Sequence, residues 1–306
     1  MAPRNMHQTP RQSPDLSISV ILSDGQERHP DPIVREITSR QNPLVAEYRA
    51  LARHRPAGQI AVLLEGFHLV EEALAAGIAI KSAAVARRAL ADPHVEMLVE
   101  RLEPMGTDVV AVSEAVLRAM SPVPSPSGLV AVAEPRPAGL DEAFGRPPQL
   151  VLVSFDLQDP GNAGALVRSA VALGATGVIF CGASADPFSW KALRGSMGSA
   201  FHVPVVGRAD GMAVIAAGRA AGLSLFAAVP AGGRSVLDAD LTGPTAFLLG
   251  GEGSGLDPEI VAAVDQQVSI PMAPRVESLN VSVAAALLAW EARRQRRGRL
   301  ESDRHE

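Results

Sequence analysis

From Gln149 onward the sequence sets short, almost wholly apolar runs between helix-like segments. The runs read QLVLVSFDL, TGVIFCG, FHVPVVG, LSLFAAVP, PTAFLLG and QVSIPM; between them fall GNAGALVRSAVALGA, PFSWKALRGSMG, GMAVIAAGRAAG and PEIVAAVDQ. A strand this apolar leaves no face for water, so it has to be covered on both sides. Alternating with helices, such strands specify an α/β fold with a mostly parallel sheet between helical layers. Ligands of open α/β sheets bind at the carboxyl ends of the strands. The loops that follow these runs are therefore where chemistry is expected.

The stretch from Pro32 to Pro135 also alternates. QNPLVAEYRALARH reads as a helix with Asn42 as N-cap and Pro43 in its first position. AVLLEG is a strand, FHLVEEALAAG a helix closed by Gly77, and IAIKSAAVA a strand. ADPHVEMLVERLEPMG is a helix capped by Asp92, DVVAVS a strand, SEAVLRAM a short helix capped by Ser113, and GLVAVAEP a strand. Together they predict a small α/β/α domain. PRPAGLDEAFGRPP, rich in proline, reads as a linker with room for one helical turn. Met1 to Asp31 is rich in Pro, Gln, Ser, Arg and His and reads as a disordered tail, with a short strand in LSISVIL as the alternative. The expected division is a tail over 1–31, a first domain over 32–135, a linker over 136–148, a second domain over 149–298 and a tail over 299–306.

Composition narrows the function classes. The one cysteine, Cys181, lies inside GVIFCG, which excludes a disulfide framework and a Cys-rich zinc site; no metal is expected. Aromatic residues make up 4%, too few for base stacking to be the main mode of recognition. A net charge of −5 argues against a globally basic nucleic-acid binder but leaves local basic surfaces open. Arg49, Arg53, His54 and Arg55 gather near the end of the first helix, as phosphate contacts or as a solvated helix end. RRQRRGR, Arg293 to Arg299, admits the same two readings. His68 and His202 flank apolar runs and read as structural. No apolar window reaches about 18 residues and no apolar leader is evident, so no membrane span is expected and a soluble, cytoplasmic protein is.

Three strand-end loops carry polar residues in unusual density. In FDLQDPGNAGALVRSAVALGA, Asn162 and Gly164 open a helix that carries Arg168 about two turns inside, on an otherwise apolar segment. Arg168 either serves a ligand or pairs with a carboxylate such as Asp156 or Asp159. In LLGGEGSGL, glycines surround Glu252, which suits a close backbone approach. That loop is not a dinucleotide fingerprint, because its spacing is GxGxG and it follows the fifth strand of its domain. In VESLNVSV, Glu277, Ser278 and Asn280 precede the last helix. Either Ser278 or Asn280 can cap that helix; one cap leaves the other polar residues unexplained.

Taken together, these loops resemble the three motifs of the SpoU (TrmH-like) branch of the SPOUT RNA methyltransferases. Asp159-Pro160-Gly161-Asn162 with Gly164, Arg168, Ser169 and Ala170 resembles the first, Gly250 to Gly255 the second, and Ile270 to Met272 with Glu277 to Ala285 the third. The likeness covers about Gln149 to Arg294, and Ala61 to Ala133 resembles the ribosomal-protein-like RNA-binding module of many such enzymes. Two positions depart from it: Arg275 stands where many relatives have glycine, and Ala227-Ala228 where Ala-Thr is common. The resemblance implies a deep C-terminal trefoil knot, S-adenosylmethionine as cofactor, a homodimer, and 2′-O-ribose methylation of RNA. Ribosomal RNA is favoured, and transfer RNA or a non-catalytic RNA-binding protein are the alternatives. It implies cofactor contacts from Ala228, Gly250, Gly251, Gly253, Ile270, Met272 and Leu279. It also implies catalytic roles for Asn162, Arg168, Glu252, Ser278 and Asn280, with Arg168 serving the partner's site, and RNA contacts from Arg49, Arg53 and Arg55.

Overall fold

The computed structural model describes residues 35–302 except 54, 56–57 and 254, with side chains described as far as residue 298. The tail expected over Met1 to Asp31, the LSISVIL strand, His54 and residues 303–306 lie outside the described residues. From Arg35 onward the chain forms one compact unit containing two sheets.

The first sheet uses β1 (Arg35–Ile37), α1 (Pro43–Arg53), β2 (Val62–Glu65), α2 (Phe67–Ala75), β3 (Ala79–Ala86), α3 (Pro93–Leu102), β4 (Asp108–Val112), α4 (Glu114–Met120) and β5 (Leu129–Glu134). Its order is β1-β4-β3-β5-β2, parallel across β1, β4 and β3 and antiparallel on both sides of β5. The expected caps form. Asn42 Oδ1 accepts from the Leu44 amide at 2.9 Å and Asp92 Oδ1 from the His94 amide at 2.9 Å. Ser113 Oγ accepts from the Val116 amide at 3.4 Å. Tyr48, Leu51, Leu117, Met120 and Val130 fill one side of the sheet. The Tyr48 hydroxyl meets Ser82 Oγ at 2.9 Å, and burial pushes its pKa far above the usual phenol range.

The linker is more structured than its prolines suggest. α5 (Leu140–Phe144) buries Ala143 and Phe144 in the core of the second sheet. That sheet uses β6 (Leu150–Phe155), α6 (Pro160–Ala172), β7 (Gly177–Cys181), α7 (Trp190–Ser196), β8 (Val205–Ala209), α8 (Gly211–Ala220), β9 (Ser224–Ala228), β10 (Arg234–Ser235), β11 (Thr245–Leu249), α9 (Pro258–Ala262), β12 (Gln266–Ser269) and α10 (Val281–Ser302). All its pairings are parallel, in the order β10-β12-β9-β11-β6-β7-β8. Every carboxyl end therefore faces the same edge. Cys181 is fully buried, and burial pushes its thiol up to about 12, so it behaves as a small hydrophobe.

α10 runs past the expected domain end at 298 to Ser302. The basic run at its end is largely engaged in structure. Arg294 grips Glu291 with two bonds of 2.8 and 2.7 Å, and that hydrogen bonding holds the Glu291 carboxyl below its usual range. Arg293 Nη1 donates to the Ala172 carbonyl at 3.2 Å. Arg296, half-buried, donates to the carbonyls of Leu241, Gln149 and Gly243 at 3.1, 2.9 and 2.6 Å. Arg293 and Arg294 stay exposed while they make these bonds, and Arg296 is partly buried.

α7 joins the two sheets, with Trp190 packed on the core of the first and the helix itself pressed on α6. Across the same seam Glu72 meets His202 Nε2 at 2.7 Å and Arg55 Nε stands 3.2 Å from Asp186. Gly164 on α6 is what lets α7 close in, since a Cβ there would stand 2.8 Å from the Ser196 nitrogen and 2.9 Å from the Gly195 Cα. Backbone cannot yield as a side chain can. Gly164→Ala should therefore cost about 1–3 kcal/mol, read as a lower midpoint in urea unfolding.

Candidate active site

Three loops meet at the carboxyl ends of β6, β11 and β12, beside the end of β9. After β11 the chain turns through Gly250 to Gly255 and folds back so that Gly251 bridges Gly255. A Cβ on Gly250 would collide with the Gly255 backbone, and one on Gly251 would stand 2.8 Å from the Asp156 carbonyl carbon at the end of β6. Glycine is required here because the loop lies directly on backbone. Gly253 and Gly255 take φ of +103° and +69°, which side chains resist.

The first loop is fixed by Asp159, whose Oδ1 accepts from the Asn162 amide at 2.8 Å and caps α6. The third is fixed by Asn280, whose Oδ1 accepts from the Ser282 amide at 2.9 Å and from Ser282 Oγ at 2.6 Å at the start of α10. Of the two expected caps, Asn280 is the one that forms. A hydrogen-bond series then ties the loops together: Asn280 Nδ2 donates to Asn162 Oδ1 at 3.1 Å, and Asn162 Nδ2 donates to Glu252 Oε1. A carboxylate accepts, so Glu252 takes the Asn162 amide nitrogen, while the Ser282 amide fixes the Asn280 oxygen and leaves its nitrogen for Asn162.

Beneath this series lies a cavity of about 460 Å³, within the range of small-molecule sites. Ala228, Gly250, Gly251, Gly253, Ile270, Met272 and Leu279 line it, together with Glu252, Ser278 and Asn280. Its apolar wall also includes Val268, Ala284 and Leu288, which the sequence does not flag because each reads as ordinary core. Asn162 is linked to the cavity through Glu252 and Asn280.

Arg168 is placed differently. It is exposed on α6, lines no part of the cavity, and has no bonding partner among the described residues. The two carboxylates open to it are engaged elsewhere, Asp159 in the cap and Asp156 on the Ala183 amide at 2.7 Å. Glu252 holds Asn162 rather than Arg168. On the first sheet Arg49 and Arg53 are exposed. Arg55 turns inward, with Nη1 donating to the Gln59 carbonyl at 2.8 Å and its guanidinium 5.7 Å from the Phe188 ring centre. Among the described residues no cluster of His, Cys, Asp and Glu could hold a metal ion, and no helix is long and apolar enough to cross a membrane.

A parallel sheet of this order with its cavity at the strand ends, fronted by DPGN, GEG and SLN loops, defines an α/β protein with a ligand site at the carboxyl edge of its sheet. Residues 149–290 match the SpoU rRNA Methylase family, and residues 63–138 match the RNA 2'-O ribose methyltransferase substrate binding family. An "Uncharacterized tRNA/rRNA methyltransferase" of Synechocystis is 36% identical, over 86% of this chain and 94% of that protein. The 23S rRNA (uridine(2479)-2'-O)-methyltransferase of Streptomyces viridochromogenes is 34% identical, over 87% of this chain and 94% of its own length. The crystal structure of an AdoMet-bound rRNA methyltransferase from Sinorhizobium meliloti superimposes with a TM-score of 0.77 at 32% identity, covering 85% of this chain and 97% of that one. The chain belongs to the SpoU rRNA methylase family.

The caps give a stability test that is independent of activity. Asn280→Ala removes the α10 cap and should cost about 1 kcal/mol. Ser278→Ala, which breaks no bond among the described residues, should change stability by less than about 0.5 kcal/mol. Urea unfolding of both variants checks the contrast.

Proposed function

We propose that the protein transfers a methyl group from S-adenosylmethionine to a ribose 2′-hydroxyl of ribosomal RNA. The observation that carries this reading is the convergence of three loops, each from a different part of the sequence, on one cavity with a polar series at its mouth. The cavity suits the cofactor: its volume is adequate, its walls are mixed apolar and backbone, and Gly250, Gly251 and Gly253 let main chain approach a ligand. When bound, S-adenosylmethionine supplies an electrophilic methyl group on a sulfonium. What remains for the protein is to align the 2′-oxygen and assist loss of its proton.

Glu252 is the group we assign to the proton, directly or through a water. Its Oε1 is engaged by Asn162, so Asn162 holds the carboxylate in place. Asn280 holds Asn162, and Ser278, which lines the cavity and has no bond among the described residues, positions the ribose. Arg168 is fixed as a cation and is not a base. Its role is to stabilise the developing alkoxide or to grip the neighbouring phosphate.

Arg168 lies outside its own chain's cavity, so we assign it to the cavity of a second copy. α10 packs on α6 and exposes Val283, Leu287 and Trp290, the last 53% exposed, at spacings that put them on one face. An apolar stripe of this kind on a terminal helix suits a homodimer interface. The knotted path implied by the family is part of the same proposal, with the loops after β9, β11 and β12 threaded around the cofactor. The first sheet selects the RNA, with Arg49 and Arg53 offering phosphate contacts. Cytoplasmic location follows from that substrate.

The chemistry is tested with tritiated S-adenosylmethionine and unmodified ribosomal and transfer RNA, digested to find alkali-resistant labelled dinucleotides. Label from ribosomal RNA is expected. Label from transfer RNA alone would move the substrate, and no label without cofactor binding would leave an RNA-binding protein. Arg168→Ala should lower turnover by about 10²–10³-fold. Mixed with Gly250→Val, whose side chain has no room beside Gly255, it should regain activity, because each mixed dimer contains one intact cavity and one arginine to serve it. No recovery on subunit exchange would place Arg168 in its own chain's site.

A further inference from the structure

A second cavity, of about 200 Å³, lies in the seam between the two sheets. Arg55, Arg136 and Arg208 line it, with Asp186 and Phe188. Arg136 is neutralised by a two-point contact with Glu142. Arg55 faces Asp186, but Arg55 Nε and Asp186 Oδ2 are both buried, stand 3.2 Å apart, and are not aligned for a hydrogen bond. Asp186 Oδ1 is already used, accepting from the Phe188 amide at 3.0 Å. Arg208 has no hydrogen-bond or ion-pair partner among the described residues and is exposed.

The backbone is distorted to put Arg208 there. Val178 and Ile179 on β7 pair with Val205 and Val206 on β8, and Cys181 then pairs with Ala209. Gly207 and Arg208 thus stand together opposite Phe180, a β-bulge on an edge strand, and bulges re-aim side chains. Arg208 takes φ of +57°, in the left-handed region that non-glycine residues seldom occupy. Two other non-glycine residues share that region, Asp156 and Met197 at φ of 52° and 51°. Asp156 is compensated by its bond to the Ala183 amide, and Met197 closes α7 as its C-cap. Of the three, Arg208 has no such compensation among the described residues. Strained side chains aimed into a cavity mark functional positions. The Arg55 guanidinium is pushed below its usual range first by burial, against the pull of Asp186, and further by the nearby Arg208 charge. Two guanidiniums lining one cavity, with Arg208 uncompensated among the described residues, suit an anion there.

We propose that the seam cavity is a phosphate subsite, centred on Arg208 and Arg55, that holds a backbone phosphodiester of the RNA substrate. It rests on the reading of the protein as an RNA methyltransferase. Guanidiniums supply the bidentate phosphate contact, and the half-buried Phe188 ring gives an adjoining base or ribose an apolar floor. Both sheets contribute to the subsite, so RNA held there is registered against the methyl-transfer cavity as well as against the first sheet.

The test is binding of in vitro transcribed, unmodified large-subunit ribosomal RNA across a salt series, with Arg208→Gln and Arg208→Gly. Glycine accepts φ of +57° without strain, so Arg208→Gly should fold at least as stably as the parent, and a loss shared by both variants reports the guanidinium and not the fold. Both variants should bind RNA roughly tenfold more weakly, with a salt slope smaller by about one ion. Affinity for S-adenosylmethionine, read by calorimetry, should not change. Parent-like affinity and slope in both variants would overturn the proposal. So would AMP binding that depends on Arg208 while RNA binding does not, since that describes a free-nucleotide site. If the parent protein itself neither binds nor methylates the RNA, it is the underlying functional reading that fails.

Discussion

Two groups set the direction of the bonds at the mouth of the cavity: the Glu252 carboxylate, which accepts from Asn162, and the Ser282 amide, which can only donate and does so to Asn280. Asn162 must present its amide nitrogen to Glu252, which leaves its oxygen for Asn280, and Asn280 then accepts from Ser282. The three loops are separated by 90 and 118 residues, measured from Asn162 to Glu252 and to Asn280. Oriented from both ends, the series registers segments that the sheet alone only brings near one another. An aspartate at position 252 would be a methylene short of Asn162, and a glutamine could donate as well as accept and would remove the directionality.

The sheet makes this registration possible because all its strands run the same way. The ends of β9, β11 and β12 lie side by side in a region where strand order departs from chain order, the position at which open α/β sheets bind ligands. Close contact of the second loop with the ends of β6 and of its own return path accounts for its glycines better than flexibility does. Gly250 and Gly251 are packed against backbone. In the same way Gly164 serves the α6–α7 contact, although in the sequence it can equally suit an anion at a helix start.

Most of the secondary structure was legible because the punctuation is local. Asn42-Pro43 and Asp92-Pro93 each announce a helix within two residues, and the cap bonds form as their chemistry dictates; α6 instead starts at Pro160 under an Asp159 cap, ahead of the Asn162 opening expected. The site loops were legible because polar residues there are costly unless used. What escaped depends on distant partners. β1 and β10 are only 3 and 2 residues long and exist because β4 and β12 offer them an edge. α5 is the helical turn for which the proline-rich stretch left room, but that Ala143 and Phe144 are buried shows only against the second core. Arg293, Arg294 and Arg296 look like a basic tail until the carbonyls and the carboxylate they reach, up to 147 residues away, are in place. Long cationic side chains carry little positional information of their own, and Arg55 illustrates the same point.

The placement of the two cavities gives the molecule a direction for its substrate. The cofactor cavity opens at the ends of β9, β11 and β12, while Arg208 sits near the end of β8, on the opposite edge of the sheet. With strands about 4.8 Å apart, β8 stands three spacings from β11 and five from β12, roughly 14–24 Å across the carboxyl edge. The gap exceeds the reach of any one side chain, so one nucleotide cannot fill both cavities. A strand of RNA lying along that edge can, with its target ribose at one side and its backbone held at the seam. The two sheets are tied there by Arg55–Asp186 and Glu72–His202, so a phosphate taken up beside Arg55 would bear on the contact that fixes one sheet to the other. Substrate binding and sheet registration would then draw on the same few side chains.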